Sequence, residues 1–178
     1  MKQIEVHDKF FETFISENSI QQRVAEIASQ MNSELAGKKP LFLALLNGSF
    51  MFASDLFKKL QIECEISFVK LSSYSGTQST GEIRELIGLN ENIENRCLVI
   101  LEDIVDTGIT IDKLLNELRK KKPSEIKIAT LLFKPEAHTK TTKLDYVGFE
   151  VPNFFLLGYG LDYDGLGRNL SDIYKIVD

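Results

Sequence analysis

Continuous apolar runs, each followed by a short polar turn, recur along the chain. Residues 41–46 and 98–101 are the clearest examples, and such runs are typical of strands buried on both faces of a parallel sheet. Further strands are predicted at 62–71, 126–133 and 146–151, where apolar residues cluster or alternate. The pattern predicts an α/β fold whose central, mostly parallel sheet is flanked by helices.

Apolar residues at helical spacing lie between these runs and also precede the first of them. Ser19 and Gln22 form a capping box, which predicts a helix start, and Gly37 with Pro40 predicts where that helix ends. Residues 50–60 form a second predicted helix. A third is predicted by four apolar residues at helical spacing: Ile111, Leu114, Leu115 and Leu118.

The stretch from residue 98 to residue 110 carries the most informative chemistry. Glu102 and Asp103 follow the apolar run at once, and because adjacent charges are costly to bury, we expect the strand to end there. The chain soon continues with Asp106-Thr107-Gly108-Ile109-Thr110, which leads into the third helix. Unpaired N–H groups at a helix start suit a phosphate. The acidic pair instead suits sugar hydroxyls or a magnesium shell.

Together these features predict a site for a ribose 5-phosphate at the carboxyl end of the strand. An ordinary strand-to-helix turn, with Thr110 as the helix N-cap, is the alternative interpretation.

Residues 72–81 contain only Ser, Tyr, Gly, Thr and Gln, so they cannot contribute to an apolar core. Long loops inside compact domains are usually functional lids or disordered segments. We interpret this segment as a mobile lid that excludes water from a reaction, with an idle flexible hairpin as the alternative.

Composition limits the remaining possibilities. The 178 residues include 43% hydrophobic and 26% charged residues, and we expect one domain over residues 1–178. The formal net charge of -5 argues against nucleic acid as the main partner. The first 12 residues lack the apolar core of a signal peptide, and no run is long enough for a membrane span, so we expect a cytoplasmic protein with no membrane partner. The segment from residue 161 onward is polar and shows little periodicity.

The 98–110 stretch resembles the 5-phosphoribosyl-1-pyrophosphate (PRPP) motif of type I phosphoribosyltransferases: four apolar residues, two acidic, two apolar, then Asp-Thr-Gly-x-Thr. The resemblance implies the fold of that family, with a small hood built from the N-terminal residues and about 151–178. It implies that Glu102 and Asp103 hold the ribose hydroxyls and Mg²⁺, and that residues 106–110 hold the 5′-phosphate. It also implies that Asp106 is the catalytic proton acceptor near purine N7.

Four further segments resemble the hypoxanthine-guanine members of that family. They are residues 45–52, residues 73–74 with 78–81, Lys143 ahead of 145–152, and residues 155–163 with Arg168. The resemblance implies pyrophosphate contacts from Asn47, Gly48 and Arg168, and lid residues Ser73 and Tyr74. It further implies purine binding by Lys143, Phe155, Leu156 and Asp162, with Lys143 donating to the purine 6-oxygen and Asp162 close to the metal.

The implied activity is transfer of the 5-phosphoribosyl group from PRPP to N9 of hypoxanthine or guanine, with Mg²⁺ required and pyrophosphate released. The family also implies a homodimer or homotetramer. This chain departs from common family residues at Asn47, Ile109 and Leu144, and the peptide bond before Asn47 is a candidate for the cis form. Two other classes of protein are possible. A regulatory module with a disabled site would need a DNA-binding appendage, for which we expect neither the room nor the basic charge in this chain. A magnesium-dependent phosphoacceptor would not explain the Asp-Thr-Gly-x-Thr loop or the lid.

Overall fold

The computed structural model describes residues 3–73, 83–87 and 89–177. The strands, in chain order, are β1 (Gln3–Val6), β2 (Lys9–Ile15), β3 (Leu41–Leu46), β4 (Glu65–Ser73), β5 (Ile83–Ile87), β6 (Cys97–Val105), β7 (Glu125–Phe133), β8 (Tyr146–Glu150), β9 (Leu156–Leu157) and β10 (Ile173–Val177). The helices are α1 (Glu17–Glu34), α2 (Phe50–Phe57) and α3 (Ile109–Lys120).

Six strands form the main sheet, in the order β5-β4-β3-β6-β7-β8. The five strands from β4 to β8 in this order are parallel to their neighbours, and β5 pairs antiparallel with β4. The predicted α/β fold with a mostly parallel sheet is therefore confirmed.

The apolar runs of the central strands are buried on both faces because helices cover both sides. Phe42 of β3 and Val99 of β6 pack on the face covered by α1 and α2. Leu43 and Ile100, one residue further along, pack on the opposite face with α3. Two strands that alternate between two cores in this way must be apolar at every position, as the sequence pattern indicated.

The second strand of this central pair does not end at the acidic residues, and the sequence prediction on this point was wrong. β6 runs on to Val105, paired with β7 as far as Val105↔Phe133. Its other neighbour, β3, pairs with it only as far as Ala44↔Leu101. Glu102 and Asp103 therefore have a backbone held on one side by β7 and an open side toward the loop that follows β3.

A smaller antiparallel sheet, with the order β1-β2-β10-β9, forms the hood. The polar segment after residue 161 thus contains a strand that its sequence pattern did not indicate. Ile173 and Tyr174 of β10 are both buried, Ile173 in the main core and Tyr174 against Phe11 of β2. Pairing with β2 supplies the order that local periodicity lacks.

Helix α1 begins earlier than its sequence signal indicated. Its N-cap is Ser16, whose side chain accepts a hydrogen bond from the N–H of Ser19 at 3.3 Å. The N–H of Glu17 donates to Asp172 Oδ1 of the hood at 2.7 Å. A capping box at Ser19 is therefore not formed, because the helix start is held by tertiary contact as well as by Ser16. Among the described residues, no helix is long and apolar enough to cross a membrane.

The two serines provide a test of where α1 begins. We expect Ser16→Ala to lower the free energy of unfolding by roughly 1 kcal/mol, the usual effect of losing an N-cap. Ser19→Ala should cost clearly less, because the Ser19 hydroxyl shares a hydrogen bond of 2.9 Å with the Ser16 hydroxyl, whereas the N-cap itself is Ser16. Urea unfolding of both variants measures the difference, and a larger loss for Ser19→Ala would place the helix start at Ser19.

Candidate active site

The loops after β3 and β6 meet because the carboxyl ends of adjacent parallel strands lie at the same edge of a sheet. Gly48, in the loop after β3, is buried, and a Cβ at this position would overlap the carboxylate of Asp103. On its other side, the Gly48 carbonyl lies against Gly160 of the hood, where a Cβ would overlap it as well. Asn47 beside it is exposed, and the Leu46–Asn47 peptide bond is cis.

The acidic pair lies on the floor of this edge. Glu102 Oε2 is buried and has no hydrogen-bond partner in the part of the chain that the structure describes. Asp103 Oδ1 accepts a hydrogen bond from the N–H of Ile104 at 2.9 Å. Burial, and then the charge of Asp103, raise the pKa of Glu102 well above its ordinary value, and burial also raises the pKa of Asp103.

These residues fit a magnesium ion. An orphaned carboxylate oxygen beside a second carboxylate is the kind of oxygen donor set that Mg²⁺ takes, with the remaining positions filled by water or by substrate phosphates. Within the described ranges, no group of three or more His, Cys, Asp or Glu side chains could hold a metal alone. Both oxygens of Asp162, the third predicted ligand, are already engaged, one by Arg168 Nη2 at 2.6 Å and one by the N–H of Gly165 at 2.8 Å.

The loop 106–110 forms one wall of a cavity of about 110 Å³, which Glu102 also lines. Gly108 is the N-cap of α3, with the left-handed φ of 79° that glycine tolerates best. Thr110 is thus not the N-cap, and the alternative interpretation of this turn is wrong on that point. The Thr107 and Thr110 side chains are exposed at the helix N-terminus, where an anion is favoured by unpaired N–H groups and by the helix dipole.

The connection between β7 and β8 supports this loop from outside. The carbonyl of Thr107 accepts hydrogen bonds from the N–H and the hydroxyl of Thr139, both at 3.2 Å. His138 lies directly against Gly108, and a Cβ there would be 2.8 Å from His138 Nδ1. Two residues that the sequence analysis did not use therefore determine the shape of the loop.

Lys134 is the most important site residue that the sequence analysis missed. It follows β7 directly, and its Nζ lies 3.1 Å from Asp106 Oδ2. Its side chain is only 10% exposed, whereas that of Asp106 is 46% exposed. The sequence signal that could have identified Lys134 is its position directly after a predicted strand. That strand is the next one along the chain after the strand that carries the acidic pair.

Lys143, predicted to recognise the purine, has a different environment. Its side chain is 84% exposed and its Nζ pairs with Asp145 at 3.3 Å. Asp145 Oδ2 in turn accepts from the N–H of Ile128, in the first half of β7. The structure therefore places Lys134, and not Lys143, beside the predicted catalytic carboxylate.

The hood carries the remaining predicted residues. Phe155 is 45% exposed, with its ring in an edge-on contact 5.6 Å from that of Tyr163, while Leu156 is buried in β9. Arg168 Nη1 donates to the Gly160 carbonyl at 2.7 Å. Of the two lid residues, the Ser73 backbone pairs with Ile83 at the end of β4, and Tyr74 lies outside the described residues with most of the predicted lid.

Comparisons with known proteins agree with this architecture. The family model "Phosphoribosyl transferase domain" matches residues 15–164. A hypoxanthine-guanine phosphoribosyltransferase of Bacillus subtilis (strain 168) is 41% identical over 160 residues, which is 89% of each chain. The crystal structure of a hypoxanthine phosphoribosyltransferase from Staphylococcus aureus superimposes with a TM-score of 0.88 at 38% identity, covering 93% of this chain and 91% of that one.

A longer relative contains the same unit. The bifunctional protein TilS/HprT of Listeria innocua is 38% identical over 169 residues, and this chain spans about a quarter of its length (26%). The family match covers most of the chain, and the single-unit relatives are matched over nearly their whole length. The chain therefore belongs to the phosphoribosyltransferase family, in its hypoxanthine-guanine branch.

The acidic pair should lower the free energy of unfolding and favour ligand binding, and the variant Glu102→Gln tests both effects. A carboxyl whose pKa is higher in the folded than in the unfolded state makes the free energy of unfolding fall as pH rises between those two values. Gln has no proton to lose. The variant should therefore gain stability over the parent protein as pH rises from the ordinary range of a glutamate upward, while losing affinity for magnesium and PRPP.

Urea unfolding at a series of pH values measures this difference. Glu117→Gln is the matched control, because Glu117 is an exposed carboxylate on α3 with only a surface partner, Lys120. A stability difference for Glu102→Gln that does not change with pH would contradict the raised pKa.

Proposed function

We propose that this protein transfers the 5-phosphoribosyl group of PRPP to N9 of hypoxanthine or guanine and releases pyrophosphate, a purine salvage reaction. One observation supports this most strongly. The acidic pair, the loop 106–110 and the loop at Gly48 meet at one edge of the sheet, each with the chemistry of a different part of PRPP. The names of the relatives point the same way.

Each part of PRPP has a partner in this arrangement. The loop 106–110 binds the 5′-phosphate through helix N–H groups and threonine hydroxyls. Glu102 and Asp103 bind the ribose hydroxyls and would hold Mg²⁺, which neutralises charge on the leaving pyrophosphate. The same two carboxylates favour the positive charge that develops on the ribose carbon as pyrophosphate departs. Asn47, Gly48 and Arg168 bind the pyrophosphate.

The purine lies between Phe155 of the hood and the pair formed by Asp106 and Lys134. Phe155 offers an exposed ring for a flat heterocycle, with Leu156 next to it. Asp106 accepts a proton at purine N7. Lys134 has three N–H donors and one described partner, Asp106, so it has donors left for the purine 6-oxygen. We therefore assign to Lys134 the role that the sequence analysis gave to Lys143.

Further expectations from the sequence stay predictions. They are a lid over residues 72–81 that excludes water, a metal contact from Asp162, a homodimer or homotetramer, and a cytoplasmic location.

The direct test is to mix the protein with Mg²⁺, PRPP and hypoxanthine and to measure nucleotide and pyrophosphate. Asp106→Asn keeps the size of the side chain and removes the carboxylate. We expect kcat to fall by about two to four powers of ten, the range for a general acid–base group, with PRPP affinity nearly unchanged. An unchanged kcat would contradict the role of Asp106. PRPP binding without any product from the parent protein would favour a regulatory module.

The two lysines give a matched pair for purine recognition. We expect Lys134→Met to lower kcat/KM for hypoxanthine by roughly 10²-fold or more, the scale for losing one preorganised donor. Lys143→Met should change it little, because that side chain is exposed and pairs with Asp145. The parent protein should use hypoxanthine and guanine far better than adenine, because the 6-amino group of adenine is a donor and would face the donors of Lys134. Steady-state assays with the three purines measure both points, and a larger loss for Lys143→Met would restore the sequence-based assignment.

A further inference from the structure

A single buried tyrosine joins the hood to the main sheet. Tyr159 is 2% exposed and lies between two glycines at the turn that follows β9. Its φ of 47° is unusual for a residue with a side chain, so tertiary contacts must hold it in place. Its hydroxyl donates a hydrogen bond of 2.7 Å to Asp55 Oδ2 on helix α2. This is a contact between residues 104 positions apart in the chain.

Asp55 is a shared acceptor for three elements. It also accepts from Gln21 of α1, and it pairs with Lys58 just after α2 at 2.6 Å. Burial alone would raise the pKa of Asp55, but the hydrogen bonds from Lys58, Tyr159 and Gln21 outweigh it and hold the pKa below its ordinary value. The acceptor is therefore ionised, and a hydrogen bond to a charged group is stronger than a neutral one.

The turn that Tyr159 anchors carries the cationic end of the site. The N–H of Gly160 donates to the Arg168 carbonyl at 3.0 Å, and Arg168 Nη1 donates back to the Gly160 carbonyl at 2.7 Å. Arg168 also holds Asp162, so the position of the turn determines the position of both side chains. On its other face, Gly160 lies directly against the carbonyl of Gly48.

Both partners of this contact are thus close in the chain to the same subsite. Asp55 belongs to the helix that begins two residues after Gly48, and Tyr159 directly precedes Gly160. We propose that Tyr159 and Asp55 are positioning residues for the pyrophosphate end of the site. Their hydrogen bond holds the turn at Gly160, with the attached Arg168, against the loop at Gly48; we call this turn the Arg168 turn. This inference rests on the proposed transferase function.

A purely structural role predicts a different result from a positioning role. If the contact only stabilises the fold, its loss lowers the unfolding temperature and leaves the substrates equally well bound. If it positions the Arg168 turn, its loss weakens binding of pyrophosphate more than binding of the nucleotide. The reverse reaction separates the two possibilities, because its substrates are pyrophosphate and inosine 5′-monophosphate (IMP), the nucleotide of hypoxanthine.

Tyr146 provides a matched control. It too is a buried tyrosine, 2% exposed, whose hydroxyl donates to a carboxylate, Glu34 Oε2, at 2.8 Å. It lies at the start of β8, and neither Tyr146 nor Glu34 is among the residues assigned to the site. Tyr146→Phe therefore removes the same type of hydrogen bond, from an equally buried tyrosine, without moving the Arg168 turn.

We expect Tyr159→Phe to raise the KM for pyrophosphate by about tenfold, the scale for one hydrogen bond to a charged group. The Kd of IMP, measured by calorimetry without pyrophosphate, should change less than about twofold in the same variant, because neither Tyr159 nor Asp55 is among the residues assigned to the purine or to the 5′-phosphate. Tyr146→Phe should leave both constants unchanged even where its unfolding temperature falls as much. Unfolding temperatures of all variants are measured alongside.

Asp55→Asn is the second variant, because it keeps the size of the side chain and removes the charge that accepts the Tyr159 hydrogen bond. It should show the same selective loss for pyrophosphate, and it keeps the proposal testable if Tyr159→Phe does not fold. An unchanged KM for pyrophosphate in either folded variant, or an equal loss for IMP, would overturn the proposal. A parent protein with no reverse reaction at all would instead overturn the proposed function.

Discussion

The close approach of three segments of the chain at Gly48 is the constraint on which the rest of the site depends. The carboxylate of Asp103 occupies the space on one side of Gly48, and Gly160 of the hood lies against its carbonyl on the other. No side chain fits at either glycine without displacing a neighbour. This contact brings the floor of the sheet, the loop after β3 and the hood within reach of one small ligand, although the three segments are far apart in the chain.

The distribution of charge follows from the same geometry. Burial raises the pKa of both Glu102 and Asp103, the charge of Asp103 raises that of Glu102 further, and in the described residues Glu102 Oε2 has no partner. Lys134, the buried lysine nearby, pairs with Asp106 instead. The acidic floor is thus left for a cation and for hydroxyl groups, and under the proposed function its cost to stability is the physical consequence of keeping the site preformed.

Local patterns were sufficient wherever an element is held by its own residues. The apolar strands β3 and β6 and the helix α3 lie close to where their periodicity predicted them. Local patterns failed where a partner distant in sequence supplies the order. Strand β10 forms because β2 offers it an edge, and helix α1 begins at Glu17 because Ser16 and Asp172 of the hood satisfy its first N–H groups.

The same distinction between local patterns and distant partners applies to the candidate site. The chemistry of residues 98–110 could be predicted from the sequence because acidic pair, loop and helix start are contiguous, and a strand-to-helix connection leaves them little freedom of arrangement. The partner of Asp106 could not be predicted from the sequence, because Lys134 is 28 positions away and reaches Asp106 only through the parallel pairing of β6 with β7. Lys143 and Lys134 are both lysines near the end of one strand and the start of the next. Only the tertiary structure buries one beside Asp106 and leaves the other in solvent, because burial depends on the packing of neighbouring strands and not on residue type.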